Sequence, residues 1–182
     1  MRGGVSHLIY AMSLAKINFS HQEKMYLAKV LQENFKHPTV EIQEEATKAF
    51  QAFCESYLQT PEDIGSQTGV EMASYVKGMF KASMTDENIA ITRGYNMAFG
   101  ALSKALADAL DVELIDVVVK NCVPKGNTSD EAESRKQAVQ ALMTLVKRRG
   151  VNSISIPTLQ LILNTLYKCL DDYAVDRRGD VG

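Results

Sequence analysis

Tryptophan is absent from these 182 residues, and glycine (11), proline (4) and cysteine (3) are all scarce. Strands need frequent turns, so the shortage of glycine and proline favours long helices over a sheet protein. Cys54, Cys122 and Cys169 are odd in number and far apart, so no pair has the spacing of a metal or redox motif. Each sits in an apolar helical pattern, where free cysteine acts as a small buried hydrophobe; a reduced, intracellular protein is the reading that follows. No apolar run reaches the roughly 18–20 residues of a membrane span. The first ten residues only faintly imitate a signal peptide, because His7 interrupts the apolar stretch and Lys16 closes it. A net charge of −2 argues against a nucleic-acid binder working through bulk positive charge.

Motifs that carry chemistry are equally lacking. Pro124-Lys-Gly-Asn-Thr-Ser129 lacks the spacing of a phosphate loop. His7, His21 and His37 have no ligand spacing and read as surface or cap residues. No Ser, Cys or Lys stands in a nucleophile motif, and Asp171-Asp172 is poor support for an acid/base pair. No catalytic, cofactor or metal site is expected.

What is present is helical periodicity. Ser20-x-x-Glu23 is a capping box before Leu27, Leu31 and Phe35, and His37-Pro38 ends that helix. Thr39 is placed to cap the next, with the stripe Ile42, Ala46, Ala49, Phe53, Tyr57. Thr60-Pro61-Glu62-Asp63 reads as a turn or short helix start, and Thr68-x-x-Glu71 as a second capping box. Thr85-Asp86 would cap a helix carrying Tyr95, Phe99, Leu102 and Leu106. Leu110, Leu114 and Val117 continue helically. Thr128-x-x-Glu131 caps a helix with acidic residues first and Lys147, Arg148 and Arg149 last, in the order the helix dipole favours. Gly150 fits the position just past its end, and Pro157 opens a final long helix.

About eight helices of 12–21 residues result, and they repeat in pairs. Ala49-Phe-Gln-Ala-Phe53, Ala98-Phe-Gly-Ala-Leu102 and Ala138-Val-Gln-Ala-Leu142 are three copies of A-Φ-x-A-Φ, where Φ is apolar. The copies are 49 and 40 residues apart, which brackets the HEAT/armadillo period of roughly 40–47. The fold class expected is all-α, an α-solenoid of HEAT/armadillo-type helix pairs. The pairs fall at about 20–58, 66–106, 109–149 and 157–182, the last incomplete. Both ends read as cut, so the chain is expected to be a segment of a longer array. Arg135 stands three residues before Ala138, where HEAT arrays often pair an Arg with a neighbouring Asp. Ala46 and Tyr95 hold that place in the other copies, so such a ladder would be interrupted. The methionines read as core.

Three stretches carry a family resemblance. Arg93-Gly-Tyr-Asn-Met-Ala-Phe-Gly-Ala-Leu-Ser-Lys-Ala-Leu106 resembles R-x-G-[FY]-x-x-A-x-G-A-L-P, with Ser103 where Pro is common and Gly94 one place early. Ala132-Glu-Ser-Arg-Lys-Gln-Ala-Val-Gln-Ala-Leu142 resembles A-E-S-R-R-x-x-x-x-A-[IL]. Asp171-Asp-Tyr-Ala-Val-Asp-Arg-Arg-Gly-Asp-Val-Gly182 resembles D-D-Y-T-x-D-x-R-G-D-V-G, with Ala174 in place of Thr. Together they resemble segments of the tubulin-folding cofactor D family, large HEAT-repeat tubulin chaperones. They span about half the chain; residues 1–90 resemble the family only in helical organisation.

The resemblance implies a non-enzymatic scaffold that captures β-tubulin. It would work with cofactors E and C and an Arf-like small GTPase to assemble or dismantle the tubulin dimer. GTP hydrolysis would occur on tubulin, with the activating arginine on cofactor C, so no such role falls to Arg177 or Arg178. A cytoplasmic location, with cytoskeletal or centrosomal association, follows. Asp171, Asp172, Tyr173, Asp176, Arg177, Arg178 and Asp180 read as a charged inter-helix loop that either ties two repeats together or meets a partner. The competing reading is a general HEAT adaptor of the transport-receptor or phosphatase-scaffold type.

Overall fold

The computed structural model describes residues 2–123, 125–126, 128–150 and 154–179; for Arg2, Val112 and residues 171–179 it describes the backbone alone. Among the described residues the chain is all helical. The elements are α1 Arg2–Leu14, α2 His21–Phe35, α3 Val40–Tyr57, α4 Pro61–Gly65, α5 Gln67–Thr85, α6 Ile89–Gly100, α7 Lys104–Cys122, α8 Ser129–Arg149 and α9 Ile156–Gly179.

These helices stack as an α-solenoid does. α1, α3, α6 and α8 pack on one another in chain order and form one layer; α2, α5, α7 and α9 form the other. Within each repeat α2 packs on α3, α5 on α6 and α7 on α8, so every repeat contributes one helix to each layer. The short α4 is inserted ahead of α5 and touches α7.

The A-Φ-x-A-Φ copies all lie in the first layer, on α3, α6 and α8, which is called the motif layer below. The six alanines of the three copies, Ala49, Ala52, Ala98, Ala101, Ala138 and Ala141, are all buried. Small side chains let neighbouring helices approach closely. The first Φ residue reaches into the facing layer in an equivalent way in two repeats. Phe50 of α3 meets Phe35 of α2 edge-on at 5.4 Å, and Phe99 of α6 meets Phe80 of α5 edge-on at 5.4 Å. Edge-to-face aromatic pairs at this spacing add about 0.5–1.5 kcal/mol beyond burial alone. Val139 holds that position in α8 and is half-buried. The methionines are mainly core: Met72, Met79 and Met97 are buried, whereas Met143 is exposed.

Several helix starts match their sequence signals. Ser20, Thr60 and Thr128 each form a reciprocal capping box, with Glu23, Asp63 and Glu131. Others differ. Thr39 sits at the N-cap of α3 without a side-chain cap bond. Ser66, not Thr68, caps α5, its hydroxyl accepting from the Gly69 N–H. Thr68 is buried instead, with its hydroxyl 2.9 Å from Nδ1 of His21, while Glu71 pairs with Nε2 of His21 at 2.7 Å. The Thr-x-x-Glu pattern therefore joins α5 to α2 rather than starting a helix. α6 is capped by Asn88, not Thr85-Asp86.

The stripe Tyr95, Phe99, Leu102, Leu106 is not one helix. α6 ends at Gly100 and α7 begins at Lys104, with a buried corner at Ala101, Leu102 and Ser103. Ser103 makes the corner possible: its hydroxyl donates to the Leu58 carbonyl at 2.5 Å and accepts from the Leu106 N–H at 3.3 Å. The pair boundary anticipated between 106 and 109 thus falls at 101–103. α7 then continues through Val117–Val119, broken at Asp111, whose φ of 38° lies outside the helical region. Arg149 of α8 pairs with the Asp111 carboxylate at this break.

Candidate functional site

A groove of about 380 Å³ runs over α6, walled by α3 on one side and α8 on the other. The repeat itself lays it out. The x residues of the three motif copies, Gln51, Gly100 and Gln140, all line it. So do the residues three places earlier, Lys48, Met97 and Gln137. One helical turn separates the two sets, so both face the same side of their helices. The floor is lowest over α6, because Gly100 stands where its neighbours carry glutamine. A Cβ there would lie 3.2 Å from Cα of Ala141, which records how closely α6 and α8 approach. Glu44 and Thr47 complete one wall, Thr144 the other.

Polar contacts reach across both ends of the groove. At one end the Arg93 guanidinium, buried to 3% exposure, donates from Nε to Oε1 of Gln43 and from Nη2 to the Pro38 carbonyl, both at 2.7 Å. Its Nη1 stands 3.9 Å from Asp130 at the start of α8. Gln43 in turn donates to the carbonyls of Phe35 at 2.6 Å and Ala90 at 2.7 Å. This ties the corner of α2 and α3 to α6 and α8. At the other end Arg148 of α8 donates to the Leu102 carbonyl and lies 4.0 Å from Glu55 of α3. Beneath the groove a buried amide network joins four helices. Asn121 of α7 donates to Ser83 of α5 at 3.1 Å and to Asn96 of α6 at 2.9 Å, and Asn96 donates to the Ser134 carbonyl of α8 at 3.4 Å.

A second, more apolar concavity of about 670 Å³ lies between α8 and α9, lined by Leu142, Met143, Val146, Ile162 and Leu166 among others.

The arrangement offers hydrogen-bonding side chains rather than reactive ones. Burial pushes the thiols of Cys54 and Cys122 up to about 12, so neither is a nucleophile at neutral pH. Among the described residues no group of three or more His, Cys, Asp or Glu could hold a metal ion, and no helix is long and apolar enough to cross a membrane.

The residues singled out from sequence are placed as follows. Asp171, Asp172, Tyr173, Asp176, Arg177 and Arg178 lie on the last turns of α9, where the backbone is helical rather than an inter-helix loop. Their side chains lie outside the described residues, and so does the whole of Asp180. Among the described residues Arg135 pairs with no Asp; its Nη1 donates to the Gly126 carbonyl at 2.7 Å in the loop before its own helix. Arg93, five residues before Ala98 instead of three, is an inter-repeat arginine, and so is Arg148. The groove residues were missed, although a signal existed: the x and x−3 positions of the repeat are polar on both flanking helices.

The chain is similar to tubulin-specific chaperone D of Dictyostelium discoideum, with 25% identity over 173 residues, covering 84% of this chain. It spans 11% of that relative's length. No family model and no solved structure matches the chain.

Proposed function

We propose that this chain is a non-enzymatic scaffold segment of a tubulin-folding chaperone of the cofactor D type. The observation that carries the reading is the similarity to tubulin-specific chaperone D, which covers 84% of the chain and is not confined to the three quoted motifs. A stack of helix pairs suits such a role, because affinity comes from a long surface with a few strong points and not from one deep pocket. In this reading the partner is β-tubulin, and cofactors E and C and an Arf-like small GTPase join the same assembly in the cytoplasm. Arg177 and Arg178 meet an acidic surface of tubulin or of the GTPase.

The test is co-precipitation from purified components. Tubulin and the Arf-like GTPase are captured with the parent protein, with and without residues 1–182. Loss of one partner from an otherwise folded deletion supports the reading. Retention of both would make the segment a spacer. Reversing Arg177→Glu and Arg178→Glu together should weaken capture while leaving the melting temperature unchanged; an equal loss of both would assign these residues to the fold.

A further inference from the structure

We infer that the apolar concavity between α8 and α9 is the seat of α1 from a second copy of this chain. Each facing helix packs on the motif-layer helix that follows it, α2 on α3, α5 on α6 and α7 on α8. Among the described helices that pairing leaves two over. α9 is a facing helix with no motif-layer helix after it, and α1 is a motif-layer helix with no facing helix before it. Each is the half-repeat that the other lacks, and they stand at opposite ends of the stack. Leu8-Ile-Tyr-Ala-Met12 of α1 also keeps the repeat register, 41 residues before the copy that starts at Ala49, with Leu8 in place of the first alanine. The occupant is a second copy because the kind of helix the seat needs is carried by the chain itself.

Register positions that are covered in the other motif-layer helices are bare in α1. Val5, Leu8 and Met12 correspond to Ala46, Ala49 and Phe53 of α3, and to Tyr95, Ala98 and Leu102 of α6 and its corner, all at most 2% exposed. In α1 Val5 is 43% and Leu8 59% exposed, and Met12 is half-buried. The buried side of α1 carries Ser6, Ile9 and Ser13, so its apolar stripe points away from the rest of the chain. The seat is the complement. α6 is held by the motif-layer helix before it, α3, and by its facing partner, α5; α8 and α9 present that same pair of surfaces around the concavity. Leu142, Val146, Ile162 and Leu166 line it, and Met143 stands open at 65% exposure. α1 has 13 residues, about 20 Å, and is shorter than either wall, so both can flank it. Between Gly3 and Leu14 the titratable side chains are His7 and Tyr10, and neither lies on the stripe, so docking it buries no ionised group of α1. Lys147 at the rim can keep its ammonium in water.

Such a contact is heterologous and does not close on itself, so copies add head to tail. The experiment measures the molar mass of the 182-residue chain by sedimentation and light scattering from about 1 μM to 1 mM. The mass should rise with concentration past that of a dimer. Leu8→Glu on the helix and Met143→Glu in the seat, both at exposed positions, should each weaken association at least about tenfold. Mixed one to one, the two variants should form a dimer that grows no further, because the intact α1 of one enters the intact seat of the other. Val70→Glu, at an exposed position of α5 away from both faces, should change nothing. Circular dichroism and Tm check each fold, and Val5→Glu replaces Leu8→Glu should that variant not fold. A monomer throughout the range would overturn the inference and leave both faces to neighbouring helices of a parent protein. So would a wild-type chain that stops at a dimer, association that either variant leaves intact, or a mixture that stays monomeric. No tubulin enters the measurement, so its outcome is separate from that of the tubulin reading.

Discussion

The two layers of this solenoid are held in register by different physics. In the motif layer, α3, α6 and α8 meet through buried alanines, Gly100 at the close approach of α6 to α8, and the buried Arg93. In the facing layer, α5 and α7 share one buried hydrogen bond, Asn121 to Ser83 at 3.1 Å, and the surface contacts are polar pairs, His21 with Glu71 at 2.7 Å and Lys77 with Glu113 at 3.2 Å. Steric register in a close-packed layer tolerates little change. Exposed ion pairs are each worth about 0–1 kcal/mol and are screened by salt. The motif layer should therefore set stability and the shape of the groove, with the facing layer as an adjustable backing.

Gly94→Val should destabilise the fold most severely, at the seam where α6 meets the corner of α2 and α3. A Cβ at Gly94 would lie 1.8 Å from the Phe35 carbonyl oxygen and 2.7 Å from Nε2 of Gln43, a backbone and a clamped side chain that cannot both retreat. The expected loss is about 3 kcal/mol or more, a fall in Tm of roughly 6–12 °C, measured by thermal unfolding. Arg93→Ala should come next, at roughly 1–3 kcal/mol, because Oε1 of the buried Gln43 loses its donor inside the fold. Denaturant titration should show it.

Lys77→Ala in the facing layer should cost under about 0.5 kcal/mol, and the difference from wild type should vanish in high salt. A loss as large as that of Arg93→Ala would mean that the two layers are not held differently. The smallest effect concerns the cap of α8. Backbone and hydroxyl hydrogen bonds from Thr128 hold the Glu131 carboxyl below its ordinary 4.5. A carboxyl depressed in the folded state stabilises it above the unfolded pKa, and this is lost as pH falls through the folded value. Protection of the first-turn amides of α8 against hydrogen exchange, relative to the unstructured rate at each pH, should fall as pH drops below about 4.5, and Glu131→Gln should remove that dependence.

The failures of sequence reading cluster where two segments distant in the chain meet. Thr68-x-x-Glu71 has the letters of a capping box, but Thr68 and Glu71 are spent on His21, which is 47 residues from Thr68. Leu102 and Leu106 follow Tyr95 and Phe99 at helical spacing, yet the helix breaks between them because Ser103 can donate to the Leu58 carbonyl. Nothing local marks that partner. By contrast, the boxes at Ser20 and Thr128 have no such competitor and form as their letters suggest. The same division separates Arg135 from Arg93. Register along one helix suggested the first; only the position of Asp130 and the α2–α3 corner made the second the bridging residue.

The sequence by itself determined the helical class, the paired repeat and the small-residue seam along α3, α6 and α8. Those follow from periodicity and side-chain volume, which are local properties of the chain. Tertiary structure alone decided that Gln51, Gly100 and Gln140 come to line one groove, that Gly94 is obligatory against Phe35, and that Arg93 spans three helices. Each of these is a distance between residues far apart in sequence. Such distances are fixed by how helices pack around the whole core, which no single helical stretch encodes.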